Sequence, residues 1–302
     1  CVWIPESMTQ DEVGKWKRYE IVINYELADE NPYGVEWKGI FQSPDGQTLE
    51  QWGFYAGENE WKIFFMPNQT GRWSYKTESS ISELDGKEGE FHCVPSELPG
   101  MLKGDGPSWI LSDQGGTFPV LWNPPVEDGV RWGFRARELS HPTIQQALHY
   151  AAKTVEARVL GFDALLVVPT GWANDWDQSA VPYVINEEGM QFNQTFWDRL
   201  NAKLDAARDL GMGHYIMFYS DDELTPDNFG LTPKSDKEIQ FFRYALARLA
   251  CYPIVLWDSG IDIGEYRSSQ WIDWFVDWIQ NNDPWQHPVG SRTGGGSGGK
   301  IP

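Results

Sequence analysis

The chain has 302 residues, 41% hydrophobic and 15% aromatic, with 17 Trp and a formal net charge of −20 at pH 7. That length and apolar content suit a folded protein of two domains or one large one. The acidic balance argues against nucleic acid or an anionic membrane as partner, because both would be repelled, and leaves an uncharged or weakly charged ligand open. No apolar run of about 18 residues exists to span a membrane, and no charged-then-apolar signal segment stands at the start. Three cysteines, Cys1, Cys93 and Cys251, are too few and too scattered for a disulfide framework or a zinc site.

Up to about residue 97 turn sequences recur every ten residues or so, with period-two patterning between them, the signature of an antiparallel sandwich. WKRYEIVINY at 16–25 alternates, placing Tyr19, Ile21, Ile23 and Tyr25 on one face. Further strands are predicted at 33–41, 49–55, 60–66, 72–78 and 89–94. Between them NPYG, SPDGQ, AGENE, PNQTG and LDGKEG supply the Gly, Asn, Asp and Pro that turns require. This region, 1–97, reads as an immunoglobulin-like β-sandwich domain and contains no plausible catalytic set.

From 106 to 302 the period changes. SWILSDQGGTFPVLW at 108–122 reads as a hairpin, turning at DQGG, that leads into a first barrel strand. Helices are then predicted at about 143–160, 195–210, 235–251 and 269–282, each leading into a strand: FDALLVVP, GHYIMFY, PIVLW and HPVG. Ser235 and Glu238 form a capping box at the third helix. Its apolar stripe is Ile239, Phe242, Leu246 and Leu249, and that of the fourth helix is Trp271, Trp274, Phe275 and Trp278, which reads as core rather than ligand platform. Repeated strand–helix units imply a parallel sheet with right-handed crossovers, either doubly wound or a (β/α)8 barrel. No GxGxxG or P-loop follows a first strand. Long polar and aromatic insertions follow the strand ends instead, as barrel enzymes need.

In PIVLWDSGIDIGEYR at 253–267 an apolar run stops in Asp258, Asp262 and Glu265. In a barrel the strand ends converge on one face, which would gather Trp122, Asn123, Trp172, Asp221, Asp222, Trp257, Asp258, Asp262, Glu265, Tyr266 and Arg292. Aromatic faces beside carboxylates and amides suit a carbohydrate: flat surfaces for the CH-rich side of a sugar, polar groups for hydroxyls, acids for the glycosidic oxygen. Asp221, Asp222 and Glu223 lack the DxDxDG spacing of a Ca²⁺ loop, so no metal is expected.

The segments EVGKWKRYEI, NPYGVEWKGIF, WGFYAG, EWKIFFMPNQTGRWSYKTES and GKEGEFHCVPS resemble the small β-sandwich that precedes the catalytic barrel in a group of bacterial glycoside hydrolases. The region from about 106 resembles their apiosidase-like (β/α)8 barrel, in the clan of retaining hydrolases with carboxylates at the ends of the fourth and seventh strands. The resemblance implies a multidomain protein, an all-β antiparallel sandwich followed by an incomplete TIM-type barrel of about five of eight strands. It implies an acid/base at Asp262, with Glu265 as rival, substrate contacts from the other strand-end residues, and no cofactor. Where many clan members have Asn before the acid, this chain has Ile261. The nucleophile is expected beyond Pro302, on a strand of a longer enzyme. The expected location is secreted, periplasmic or cell-surface, with Cys1 either a fragment's first residue or the lipid-bearing cysteine of a lipoprotein. Two other readings stand beside hydrolysis: a carbohydrate-binding protein that has lost the chemistry, and an adhesive surface protein.

Overall fold

The computed structural model describes residues 12–28, 30–106, 108–114, 160–166, 181–219 and 226–292, together with Gln145, Leu148 and His149. Seven strands, β1 (Glu12–Gly14), β2 (Tyr19–Asn24), β3 (Trp37–Gln42), β4 (Thr48–Tyr55), β5 (Glu60–Phe65), β6 (Gly71–Ser79) and β7 (Glu88–Val94), join in one sheet ordered β1-β7-β6-β3-β4-β5-β2. The β4 strand pairs with β3 through Thr48–Trp52 and with β5 through Gly53–Tyr55, so it turns a corner between the two halves. Gly53 sits at that change, where a Cβ would lie 2.3 Å from the Trp37 ring. Past the corner the halves face each other. Phe41 on β3 stacks on Phe65 on β5 at 3.7 Å, and Tyr19 on β2 stacks on Phe91 on β7 at 3.9 Å, from opposite ends of the strand order. The period-two pattern predicts two separate sheets. Hydrogen bonding carried through β4 makes one, rolled until it is nearly closed.

The rest of the described chain carries two hairpins and a parallel sheet. β8 (Leu102–Asp105) pairs with β9 (Ser108–Leu111), and β11 (Tyr183–Asn186) with β12 (Gly189–Phe192). β10 (Leu160–Leu166), β13 (Gly213–Tyr219), β14 (Val255–Gly260) and β15 (Val289–Gly290) are parallel and adjacent in chain order. Three helices, α1 (Gln194–Asp209), α2 (Asp236–Leu249) and α3 (Ser269–Asn282), link or follow these strands. A TIM-type barrel is not what these residues form. Four parallel strands are too few to close a ring that takes about eight, and the barrel-like element of the molecule is the N-terminal β-sheet. Ser108–Leu111 pairs backward with β8, a partner that the sequence pattern did not give it, and the second arm of the hairpin expected at 108–122 lies outside the described residues. Residues 115–122, and nearly all of the helix expected at 143–160, lie outside the described residues.

Asn193, Ser235 and Ser268 each cap a helix by accepting an amide hydrogen bond from three residues on. The capping box at α2 is half realised. Ser235 accepts from the Glu238 amide, but the Glu238 carboxylate turns inward and receives the Lys234 amide (2.6 Å), the Tyr219 hydroxyl (2.8 Å), the Trp271 indole (3.0 Å) and Arg267 (3.2 Å).

Of the predicted stripe of α2, Phe242, Leu246 and Leu249 are buried and Ile239 is partly exposed, while Phe241, Tyr244, Ala245 and Arg248 are buried as well. The helix lies between two sheets. Phe242 meets Phe218 of the parallel sheet, while the Arg248 guanidinium stands 4.6 Å from the Phe54 ring centre and the Tyr244 hydroxyl donates to the Tyr55 carbonyl at 3.0 Å. Trp285 after α3 likewise packs on Phe65 and donates its indole N–H to the Met66 carbonyl at 2.9 Å. One hydrophobic core therefore runs through both regions. In α3, Trp271 and Phe275 are fully buried, while Trp274 and Trp278 are half-buried against Phe242.

Candidate active site

Strand alternation gives the parallel sheet two unlike faces. Ile216, Phe218, Val255 and Trp257 point toward the helices, and Tyr215, Met217, Ile254 and Leu256 point the other way, onto Leu102 and Leu111 of the β8–β9 hairpin. The hairpin is fastened there by the Leu102 amide, which donates to the Pro253 carbonyl at 3.1 Å. Asp258 follows Ile254 and Leu256 on the hairpin side, nearer the C-terminal end of the strand.

Asp258 lies inside β14, not in the loop after it, and is 0% exposed. Its Oδ1 accepts the Gly260 amide at 2.7 Å and its Oδ2 accepts the Tyr215 hydroxyl. Arg292 Nε stands 3.7 Å from Oδ2. Burial pushes this carboxyl up to about 7, with Arg292 and the Gly260 amide pulling the other way.

Beyond the strand the chain turns sharply. Asp262 adopts a left-handed conformation (φ 47°, ψ 35°), which Asp tolerates better than most residues, and is partly exposed. Backbone bonds hold the turn on both sides: the Ile261 amide donates to the Tyr219 carbonyl at 3.1 Å, and the Ile263 amide to the Arg292 carbonyl at 3.0 Å. The Asp262 carbonyl itself accepts the Glu265 amide at 2.9 Å, and the Asp262 side chain makes no cap bond to the short 3-10 turn it opens. Gly260 has φ 153°, and a Cβ there would come within 2.6 Å of the Tyr219 carbonyl and 2.9 Å of the Tyr266 hydroxyl. Arg267, 4% exposed, ties down the far side through Leu231, Asp227 and Glu238.

The structure thus brings Asp258, Asp262, Glu265, Tyr266 and Arg292 to one end of the parallel sheet. Glu265 is exposed on the 3-10 turn. Trp257 is on the other face, fully buried, with its indole donating to Asp283 at 2.9 Å, so it is core and not a surface for substrate. Trp122, Asn123, Trp172, Asp221 and Asp222 lie outside the described residues. Sequence reasoning missed Tyr215, although the same alternation that puts Leu256 beside Asp258 in β14 puts Tyr215 on that face of β13.

A groove of about 980 Å³ lies elsewhere, on the outer face of the N-terminal sheet, with Trp52, Lys38, Lys76, Glu36 and Glu78 among its lining residues. Its lysines are already paired, Lys38 with Glu50 and Glu78, Lys76 with Glu88, and Arg243 covers the Trp52 ring. Cys93 and Cys251 are buried thiols whose pKa burial pushes up to about 11 and about 12, which leaves them unreactive. Among the described residues no cluster of His, Cys, Asp and Glu could hold a metal, and no helix is long and apolar enough to cross a membrane.

Residues 12–80 match a family described as a domain of unknown function, DUF5060. A comparison with curated proteins finds no match. Among solved structures the chain is similar in fold to a "putative glycoside hydrolase" from Bacteroides vulgatus ATCC 8482, with a TM-score of 0.76 and 20% identity over 93% of this chain. The chain spans 56% of the length of that protein. A pullulanase from Paenibacillus barengoltzii, in complex with maltohexaose and α-cyclodextrin, aligns over 91% of this chain and 51% of its own at 12% identity, but with a TM-score of only 0.27.

Proposed function

We propose that the protein is a glycoside hydrolase in which Asp262 is the general acid/base. The observation that carries this reading is the left-handed turn at the C-terminal end of β14, which presents a partly exposed carboxyl held by backbone bonds from both neighbouring strand ends. Residues kept in sparsely populated backbone conformations gather at functional sites. Carboxyl groups at the C-terminal ends of parallel strands are where α/β enzymes work. The likeness to the Bacteroides vulgatus structure supports a related architecture, and the four parallel strands, adjacent in chain order, bring their C-terminal ends together on one side of the sheet. On this reading the N-terminal sheet and the parallel-sheet region are two domains of one enzyme, with their boundary near residues 97–106.

The chemistry is double displacement. The Asp262 carboxyl gives its proton to the glycosidic oxygen as the C–O bond breaks, and a second carboxylate attacks the anomeric carbon to form a glycosyl ester. Water then adds as Asp262 takes its proton, and the ester C–O bond breaks to regenerate the second carboxylate. Tyr266 and Arg292 stand beside the turn as candidate sugar contacts. Glu265, exposed on the same turn, is the alternative acid.

Assay of Asp262→Asn and Glu265→Gln in the full natural chain, on aryl glycosides and polysaccharides, tests the assignment. Asp262→Asn is expected to lower kcat by about 10²–10⁴-fold, the usual share of a general acid, and Glu265→Gln by much less. The reverse pattern would move the acid to Glu265, and full activity in both variants would refute the site. A second reading, sugar binding without turnover, is favoured by Ile261. Its side chain packs on the hairpin-side apolar cluster, so no amide is offered to a sugar hydroxyl from that position. Sugar affinity with no hydrolysis in the full chain is what that reading requires.

A further inference from the structure

The buried Asp258 carboxyl has no part in the reaction above, yet contacts lead from it to Asp262. Arg292, which approaches Asp258 Oδ2 to 3.7 Å, lies over the Tyr215 ring at 5.3 Å from its centre and donates to Met217 Sδ. The Arg292 carbonyl receives the Ile263 amide, one residue past Asp262. Next to it, the Ser291 hydroxyl is 2.7 Å from that of Ser259. The segment Ser291–Arg292 is therefore clasped between a buried carboxyl and the turn that carries the proposed acid. Burying an ionisable carboxyl is costly, and an apolar residue at 258 would complete the face begun by Ile254 and Leu256 without that cost.

We propose that Asp258 is a positioning residue: its ionised form draws in Arg292, and Arg292 holds the left-handed turn that presents Asp262. The proposal deepens the hydrolase reading and, in its kinetic part, rests on it. Because burial places the Asp258 carboxyl near neutrality, the hold strengthens as the pH rises through that range. Among the described residues the ionisable groups that face Asp258 are Tyr215 from β13 and Arg292 after β15. The β15 strand itself presents Gly290, where a Cβ would stand 3.8 Å from Oδ2, so no side chain from that strand competes with Arg292.

Hydrogen exchange over residues 261–267, corrected for the intrinsic base-catalysed rate, reads the turn without reference to activity. Protection in the native protein is expected to rise several-fold between about pH 6 and about pH 8, and in Asp258→Asn to stay level. In parallel, native kcat should gain a limb over the same range that Asp258→Asn lacks, with kcat lower by about tenfold at the alkaline end and KM little changed. Tyr215→Phe keeps the shape and removes a donor to the ionised carboxyl, so both transitions should move to higher pH. If Asp258→Asn retains the native exchange transition and the native kcat limb, or Tyr215→Phe leaves both unmoved, the proposal is overturned. Asp262→Asn separates the two failures: it should lower turnover by about 10²–10⁴-fold and leave the exchange transition in place, whereas undiminished turnover sinks the assignment of Asp262 as the acid and not the positioning of the turn.

Discussion

Adjacent residues of β14 lead to two buried carboxyls that are treated in opposite ways. On the helix side Trp257 reaches Asp283, which also accepts His287 Nδ1 (2.7 Å) and the Trp285 amide (3.0 Å), while His287 Nε2 meets the Tyr252 carbonyl at 2.8 Å. Burial would raise the Asp283 carboxyl, but His287 and these donors more than offset it and hold it below the usual carboxylate range. On the hairpin side Asp258 has the Tyr215 hydroxyl, one amide and a more distant Arg292, and burial wins. Depth is the same in both places, 2% and 0% exposed, so donor supply decides the charge. A fully served carboxylate fixes a fold. An under-served one beside a strand end can change charge where an enzyme works, which is why the hairpin side and not the helix side is read as functional.

The contrast can be broken experimentally. Asp283→Asn should be the most damaging change, costing about 3–5 kcal/mol near neutral pH, because it leaves His287 and the Trp257 indole facing a weaker partner in the core. Denaturant unfolding measures it. A loss below about 1 kcal/mol would mean that Asp283 is no better served than Asp258.

The pH dependences should have opposite signs. Asp283 has a lowered value, so its stabilisation is present above about pH 4 and fades as the pH falls through its folded value. Asp258 has a raised value. The folded state therefore binds more protons than the unfolded state between the ordinary value of 3.8 and about 7, and stability is lost as the pH rises through that window. Asp258→Asn should flatten this decline, by up to about 4 kcal/mol across it. Melting temperatures of the two proteins recorded from acid to neutral pH give the comparison, and parallel curves would remove the distinction between the two carboxyls.

The smallest effect is expected on the outer face of the N-terminal sheet. There the Lys76–Glu88 pair, 3.0 Å apart, has both partners well over half exposed. Lys76→Ala should change stability by about 0–1 kcal/mol and leave any hydrolysis unaltered. A clear loss of sugar turnover in this variant would shift attention from the strand ends to the groove.

Periodicity made much of this molecule legible. GHYIMFY coincides with β13, and the helix forecast at 269–282 coincides with α3. The strands forecast at 49–55 and 60–66 match β4 and β5 to within a residue. What periodicity could not give was closure. The corner at Gly53, where one strand serves both halves of the sheet, depends on an indole pressed against backbone, and a period-two pattern is the same in a sandwich and in a rolled sheet. Nor could the α2 stripe reveal that the opposite side of that helix is buried as well, because Tyr244, Ala245 and Arg248 read as a surface until the N-terminal sheet is packed on them. At the site, the carboxylate cluster was visible as a cluster. Its division into a buried Asp258 and a partly exposed Asp262 follows from β14 continuing through Gly260, three residues past the expected strand end at Trp257.

The most direct measurement compares two leaving groups in Asp262→Asn: an activated aryl glycoside, whose departing phenolate needs no proton, and a natural sugar leaving group, which does. If Asp262 supplies that proton, cleavage of the glycosidic bond should fall by several orders of magnitude for the sugar leaving group and far less for the activated aglycone. Equal losses on both substrates, or no loss on either, would contradict the assignment of Asp262 as the acid at the end of β14.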